Sequence, residues 1–106
     1  MTWFGNSKGH RNAAKKRVTR TVARVIDGDT FVTKRRIGNT NKVRLANVDA
    51  PERGRSGGTR ATNMLRGMIG GKKVSVTPVG RSYDRVVARV TQNRRNINKR
   101  MVGKLK

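Results

Sequence analysis

The stretch VTRTVARVIDGDTFVTKRR, residues 18–36, decides the fold of this chain. Apolar and polar residues alternate on both sides of its centre and β-branched residues are frequent, which is typical of half-buried β-strands. The centre, Asp27-Gly28-Asp29, interrupts the alternation with residues that favour a turn, and Gly28 is expected to permit that turn. The stretch therefore predicts a β-hairpin.

Three more strands are predicted outside this hairpin. The turn IGNTN leads to the third strand, KVRLANVD, and the loop PERGRSGG follows Asp49 and Ala50. The fourth and fifth strands are KKVSVTPV and RVVARVTQ, and GRSYD lies between them. Their spacing indicates short strands joined by tight connections.

Two helices complete the pattern. Between the third and fourth strands, five apolar residues share one face of a predicted helix: Ala61, Met64, Leu65, Met68 and Ile69. Gly70-Gly71 is expected to end this helix. A short helix is predicted over INKRMVGKL, with Asn98 as its N-cap. The predicted fold class is mainly β with helices, namely a five-stranded OB-fold barrel with one helix between strands 3 and 4 and a short C-terminal helix.

The net charge of this chain is its most unusual property. It has 106 residues, 27 lysines and arginines, five acids and a net charge of +22. A charge this high favours a polyanion, and nucleic acid is the leading partner because phosphate neutralisation releases counterions. Residues 1–17 are predicted to be a flexible basic arm that contacts phosphate, followed by one domain over residues 18–106.

Other partners and locations are less favoured by the sequence. An anionic membrane surface is a weaker alternative, since no apolar run could span a bilayer. The N-terminus has no apolar core of the signal-peptide type, so a cytoplasmic or otherwise unsecreted protein is expected, with secretion by another route left open. With no cysteine, disulfides and thiolate metal sites are excluded. A monomer or partner-stabilised chain is expected, and an oligomer is left open.

The five acids all lie at predicted strand ends or in the turns beside them: Asp27, Asp29, Asp49, Glu52 and Asp84. Each carboxylate weakens attraction to phosphate, so their clustering indicates a required role, and a hard cation fits best. Asp29 and Asp49 could meet at one end of the barrel, where a substrate phosphate oxygen would strengthen a weak two-carboxylate site. Taken alone, IDGDT is an ordinary hairpin turn and RLANVDAPE a strand ending in a turn.

Several motifs together resemble the staphylococcal nuclease (thermonuclease) family. They are VIDGDTF, VRLANVDAPE, the helix ending in Ile69-Gly70-Gly71-Lys72, an arginine directly before VVARV, and NINKRMV. The match in order and spacing runs from about Thr21 to Val102. The resemblance implies an OB barrel and calcium-dependent hydrolysis of phosphodiester bonds in DNA and/or RNA with little sequence specificity.

The resemblance also assigns roles to individual residues. It makes Asp29 and Asp49 the calcium carboxylates and the Ala50 carbonyl a third ligand, with Asp27 supporting these ligands from behind. It makes three residues catalytic: Arg44, Glu52 and Arg85. Two guanidinium groups suit this chemistry, because they can hold nonbridging phosphate oxygens as negative charge develops. A carboxylate near the metal could accept a proton from the attacking water or orient it.

Contacts to phosphate are expected from Tyr83, Lys72 and Arg81, although packing of Tyr83 in the core is an equal alternative. One departure from the family bears on this region. The family usually has Tyr-Gly-Arg before the fifth strand, whereas this chain has Tyr83-Asp84-Arg85. An aspartate there could pair with Arg85 and withdraw it from the phosphate.

The sequence leaves a second function open, a noncatalytic basic OB-fold protein that binds nucleic acid in a ribonucleoprotein or with a genome. The high charge, Asp84, and a chain ending soon after the second helix, where the family usually continues, favour this alternative. The complete set of acids and arginines at the motif positions favours the nuclease, because a pure binder gains nothing from clustered carboxylates.

Overall fold

The computed structural model describes residues 17–105, so the predicted basic arm lies outside the described residues except for Arg17. The described chain forms six strands and two helices, in this order: β1 Val18–Asp27, β2 Thr30–Ile37, β3 Thr40–Leu45, α1 Gly58–Ile69, β4 Lys73–Ser82, β5 Arg85–Gln92, β6 Arg95–Asn96 and α2 Ile97–Leu105.

The first five strands close into a barrel. Neighbouring strands pair in the order β3-β2-β1-β4-β5, and each of these pairs is antiparallel. A parallel pairing of β3 with β5 joins the two edges, with Val43 opposite Val86 and Leu45 opposite Ala88. Closure leaves no long open edge. The predicted five-stranded barrel with two helices is therefore confirmed, and β6 is a two-residue addition beside β5.

Alternation along the strands builds the core. Phe31, Val43, Leu45 and Val90 are fully buried inside the barrel. The apolar face of α1 covers the barrel with Leu65 and Ile69, and α2 adds Ile97 and Met101. Because the polar residues of the same strands point outward, the outer face of the barrel is free to carry charged side chains.

Strand β3 is shorter than the sequence predicted. It ends at Leu45 rather than Asp49, because a turn begins at Ala46 and Asn47 has a left-handed backbone with a φ of 61°. Asparagine tolerates this conformation better than most residues. The segment that carries Asp49 and Ala50 is consequently a loop.

The predicted N-cap of the second helix is wrong by two residues. Asn96 is the residue that caps α2, since its Oδ1 accepts a hydrogen bond of 3.0 Å from the Lys99 N–H. Asn98 lies inside α2 and is buried. Its Oδ1 accepts from the Val90 N–H at 2.8 Å, and its Nδ2 donates to the carbonyls of Ala46 and Ala88 at 2.9 and 3.1 Å. Asn98 therefore ties α2 to the barrel.

Neither helix in residues 17–105 is both long and apolar enough to cross a membrane.

Candidate active site at one end of the barrel

Asp29 is the centre of a polar cluster at one end of the barrel. It lies in the connection between β1 and β2, and its side chain is only 10% exposed. Its Oδ1 accepts a hydrogen bond from the Thr30 hydroxyl at 2.9 Å, and its Oδ2 accepts from the Ala50 N–H at 3.2 Å. Its own carbonyl accepts from the Leu45 N–H at 2.8 Å. These bonds hold three chain segments together at this end of the barrel.

Arg44 brings Asp29 and Asp49 into one site. Its Nη2 lies 3.4 Å from Asp29 Oδ2 and 3.9 Å from Asp49 Oδ1, and its Nη1 donates to the Leu45 carbonyl at 3.3 Å. The Asp49 side chain is fully exposed, whereas that of Arg44 is 29% exposed. Two carboxylates from separate segments thus share one guanidinium at the rim of the barrel.

Asp27 lies directly behind this pair. Its Oδ1 accepts a hydrogen bond of 3.2 Å from the Asp29 N–H. Burial raises the pKa of Asp27 to about 6, and the nearby carboxyl of Asp29 adds to that rise. Asp27 therefore contacts Asp29 through the backbone N–H of Asp29, and its supporting role stays a prediction.

Gly28 fits this site for a reason other than the predicted one. Its φ is not in the left-handed region, so the turn does not require glycine for its conformation. Space is what requires it: an added Cβ would lie 2.6 Å from the Ala61 Cβ and 2.7 Å from the Ala50 Cβ. The turn, the loop after β3 and the start of α1 therefore meet at a point where only a hydrogen fits.

We expect Gly28→Ala to lower the free energy of unfolding by about 2 to 3 kcal/mol, because a forced methyl group must displace backbone rather than a flexible side chain. Urea denaturation followed by circular dichroism measures this. Gly67→Ala is the matched control, since a Cβ there meets nothing within 4 Å and alanine favours the helix by about 1 kcal/mol. A Gly28→Ala protein as stable as the parent would contradict the packing argument.

Glu52 lies near the carboxylate pair in sequence but is not in contact with it. Its side chain is 77% exposed, and among the described residues its ion-pair partner is Arg55, 3.9 Å away. Its backbone is held in place, because the Glu52 carbonyl accepts from the Arg55 N–H at 3.0 Å. Gly58 packs so closely against that carbonyl that a Cβ would overlap it. The loop is fixed, while the carboxylate reaches into solvent.

Arg85 begins β5 on the same outer face as Arg44. Arg44 lies opposite Val87, which is two residues beyond Arg85 on β5. The residue between Arg85 and Val87 is the buried Val86, so Arg85 and Val87 point to the same outer face of the strand. Arg85 Nε is buried and has no hydrogen-bond partner among the described residues. An unpaired buried donor costs about 1 to 3 kcal/mol, which makes it a group that gains from an incoming acceptor.

Asp84 forms its side-chain hydrogen bond with Lys42 rather than with Arg85. Its Oδ2 accepts a hydrogen bond of 2.9 Å from Lys42 Nζ, and this bond holds the pKa of Asp84 below its ordinary value. Its Oδ1 lies 3.6 Å from Arg85 Nε, too far for a hydrogen bond. The pairing of Asp84 with Arg85 that the sequence raised is therefore loose in this structure.

The three predicted phosphate contacts lie in two different places. Tyr83 is 97% exposed in the turn before Arg85, so it is not a core residue. Arg81 lies in the same region, and its Nη2 donates to Asn39 Oδ1 at 2.8 Å. Lys72 lies between α1 and β4, beyond the C-terminal end of α1, and its carbonyl accepts from the Val22 N–H at 2.9 Å.

Two residues of this region were missed from the sequence. Thr30 binds the carboxylate of Asp29, and its position directly after that aspartate was an available signal. Asn98 was taken for a cap, although it lies between Ile97 and Met101 on a helix face that is otherwise apolar. A polar residue on such a face indicates a buried hydrogen-bonding role.

A closed five-stranded barrel with two helices defines a class, the OB-fold barrels, and in this chain a carboxylate pair and Arg44 lie at one end of the barrel. Within that class, this chain belongs to the family described as staphylococcal nuclease homologues, whose model matches residues 42–104. The family predicted from the motifs is thereby confirmed.

Two curated relatives support the assignment. A Haemophilus influenzae protein named "Uncharacterized endonuclease" is 32% identical over 90 residues, which cover 84% of this chain and 51% of the relative. An Escherichia coli protein of the same name is 38% identical over 86 residues, covering 76% of this chain and 54% of the relative. The chain thus spans about half the length of the relatives it matches.

Proposed function

We propose that this chain is a nuclease that hydrolyses phosphodiester bonds of DNA and/or RNA with the aid of calcium. The observation that carries the proposal is the convergence of Asp29, Asp49 and Arg44 from three separate segments at one end of the barrel. Membership of the family and the names of the endonuclease relatives also support a nuclease. A site that only bound phosphate would not need two carboxylates beside its arginine.

The donor atoms suit a hard cation. Asp29 and Asp49 offer carboxylate oxygens within 3.9 Å of one nitrogen, and no described hydrogen bond uses the Ala50 carbonyl. No cluster of three or more His, Cys, Asp or Glu side chains that could hold a metal occurs in residues 17–105. Calcium, which accepts carbonyl, water and phosphate oxygens as well as carboxylates, would bind there with the substrate and draw charge from its phosphate.

The arginines would stabilise the charge that develops on the phosphate. A guanidinium carries five N–H donors, and the contacts of Arg44 with Asp29, Asp49 and Leu45 use only its two terminal nitrogens. Arg85 contributes a buried Nε that has no hydrogen-bond partner among the described residues. Together they can hold two nonbridging oxygens from one face of the barrel.

Glu52 would act on the attacking water. Its carboxylate is exposed and close in sequence to Asp49, so it can orient a water or accept its proton. The assigned contacts are to phosphate, carboxylate and water, so little sequence specificity is expected.

Calcium dependence is the test of this proposal. The 106-residue chain is incubated with labelled single-stranded DNA and with RNA, in calcium and in chelator, and cleavage is expected only in calcium.

Asp49→Ala and Asp49→Asn are expected to lower the cleavage rate at least about a hundredfold, because each removes a carboxylate proposed to hold the cation. Binding of DNA in chelator is expected to change by no more than about threefold, because the Asp49 side chain is fully exposed and its loss leaves the fold intact.

Two outcomes would overturn the proposal in different ways. Equal cleavage in calcium and in chelator would exclude the metal mechanism. Tight binding without cleavage of either polymer would favour the noncatalytic nucleic-acid-binding alternative.

A further inference from the structure

A groove of about 390 Å³ lies away from the candidate active site, between β1 and the C-terminal end of α1. Six residues line it: Ala23, Arg24, Val25, Arg66, Gly70 and Gly71. None of them belongs to the carboxylate and arginine site described above. The two glycines have no side chains, so an extended ligand can approach the backbone closely.

The walls of this groove are positively charged. Arg24 and Arg66 are both exposed, and no side-chain hydrogen bond or ion pair joins Arg24 to another residue in the range 17–105. Arg66 Nη1 donates to Asn63 Oδ1 at 2.7 Å, which orients its guanidinium and leaves other donors available. Exposed Lys72 and Lys73 follow Gly71 directly.

Acidic residues are absent from the segments that form the groove. No Asp or Glu occurs in residues 18–26 or 53–83, since all five acids lie outside these ranges. The arginines of the groove therefore repel each other without local compensation, and an anion that entered it would relieve that repulsion. The two arginines therefore suit an anionic ligand, and the two glycines leave room for an extended one.

Counted along β1 and α1, the groove lies about three nucleotides from the Asp27-Gly28 turn behind the candidate active site. Arg24 precedes Asp27 by three residues, or about 10 Å along β1. On the helix, Arg66 follows Ala61, which packs against Gly28, by five residues, or about 7.5 Å. A stacked nucleic-acid strand advances about 3.4 Å per phosphate, so about three phosphates bridge the gap.

We propose that this groove binds the phosphodiester backbone of the polynucleotide about three nucleotides away from the bond at the active site. The inference rests on the proposed function, because it extends the path of the same polymer along the barrel. A membrane surface suits the groove less well: among the described residues, the exposed large hydrophobic side chains are Val79 and Tyr83, and neither lines it.

Binding in chelator tests the groove separately from hydrolysis. The 106-residue chain and an Arg24→Gln/Arg66→Gln double variant are titrated against a labelled single-stranded DNA of about 20 nucleotides and against a trinucleotide, using fluorescence anisotropy at several salt concentrations. The matched control is Arg89→Gln/Arg100→Gln, which removes the same charge from exposed arginines on β5 and α2.

The groove variant is expected to bind the long DNA on the order of tenfold more weakly than the control, with a salt slope reduced by about one for each lost phosphate contact. The trinucleotide, too short to span both places, is expected to bind both variants equally. Equal long-DNA affinities for the two double variants would overturn the inference. So would a loss of binding to anionic lipid vesicles with DNA binding unchanged. Neither result bears on calcium-dependent cleavage.

Discussion

Replacement of Arg44 by alanine is expected to lower the rate of the proposed calcium-dependent cleavage by at least about 10² to 10³-fold. The guanidinium lies between the two carboxylates, 3.4 Å from Asp29 and 3.9 Å from Asp49, where the phosphate of the substrate would meet the cation. Removing one preorganised donor from such a site typically has an effect of this size. Single-turnover cleavage of labelled single-stranded DNA measures it.

Arg44→Lys separates the geometry of this residue from its charge. Lysine keeps the positive charge but cannot hold two phosphate oxygens in one plane, so we expect most of the activity to be lost in this variant as well. Binding of DNA in chelator is expected to change by no more than about threefold in either variant, because one of 27 basic residues is altered. Arg89→Ala, on the exposed side of β5, is the control.

Calcium binding without nucleic acid distinguishes loss of the arginine from loss of the metal. Arg44 lies 3.4 Å from Asp29 and 3.9 Å from Asp49, so it would compete with a bound cation for them, and Arg44→Ala is expected to bind calcium at least as tightly as the parent. An inactive variant with full calcium affinity would place the defect in phosphate stabilisation. An Arg44→Ala protein that cleaves within threefold of the parent would contradict the assigned role.

The architecture could be predicted from the sequence because local signals agreed with the global fold. Alternation around Asp27-Gly28-Asp29 identified the first hairpin, and helical spacing from Ala61 to Ile69 identified α1. The closure of the barrel could not be read in this way. It depends on the parallel pairing of β3 with β5, which joins residues far apart in sequence and leaves no local signature.

The candidate site was predictable in composition but not in geometry. Motif positions supplied Asp29, Asp49 and Arg44, whereas their spacing follows from the turn at Asn47 and from the close packing at Gly28. The reason for glycine in the turn was misread, because a conformational requirement and a steric one leave the same residue in the sequence. Only the positions of the neighbouring atoms separate the two.

The sequence alone could not show which basic residue bonds to Asp84. Its neighbour Arg85 was the obvious partner, but a chain neighbour is often less well placed than a residue on an adjacent strand. Lys42 on β3 provides a bond of 2.9 Å, while Arg85 stays 3.6 Å away. Asp84 therefore leaves Arg85 Nε without a hydrogen bond.

Removal of the Asn98 side chain is expected to produce the largest loss of stability. In Asn98→Ala, the buried Val90 N–H and the Ala46 carbonyl lose their partners, while the Ala88 carbonyl keeps its bond from the Ala46 N–H. Each orphaned group costs about 1 to 3 kcal/mol, so we expect the free energy of unfolding to fall by about 3 kcal/mol or more. A small domain has about 5 to 15 kcal/mol in total.

Urea denaturation measures this effect, and two further variants identify its cause. Asn98→Leu restores volume but no hydrogen bond, so it is expected to be nearly as unstable as Asn98→Ala. Asn96→Ala removes only the exposed cap of the same helix and is expected to lower the free energy of unfolding by about 1 kcal/mol. If Asn98→Leu were as stable as the parent, packing rather than hydrogen bonding would explain the buried asparagine. If the variants rank as expected, the bond from Asn98 to Ala46 anchors the start of the loop that carries Asp49, and so links α2 to the candidate active site.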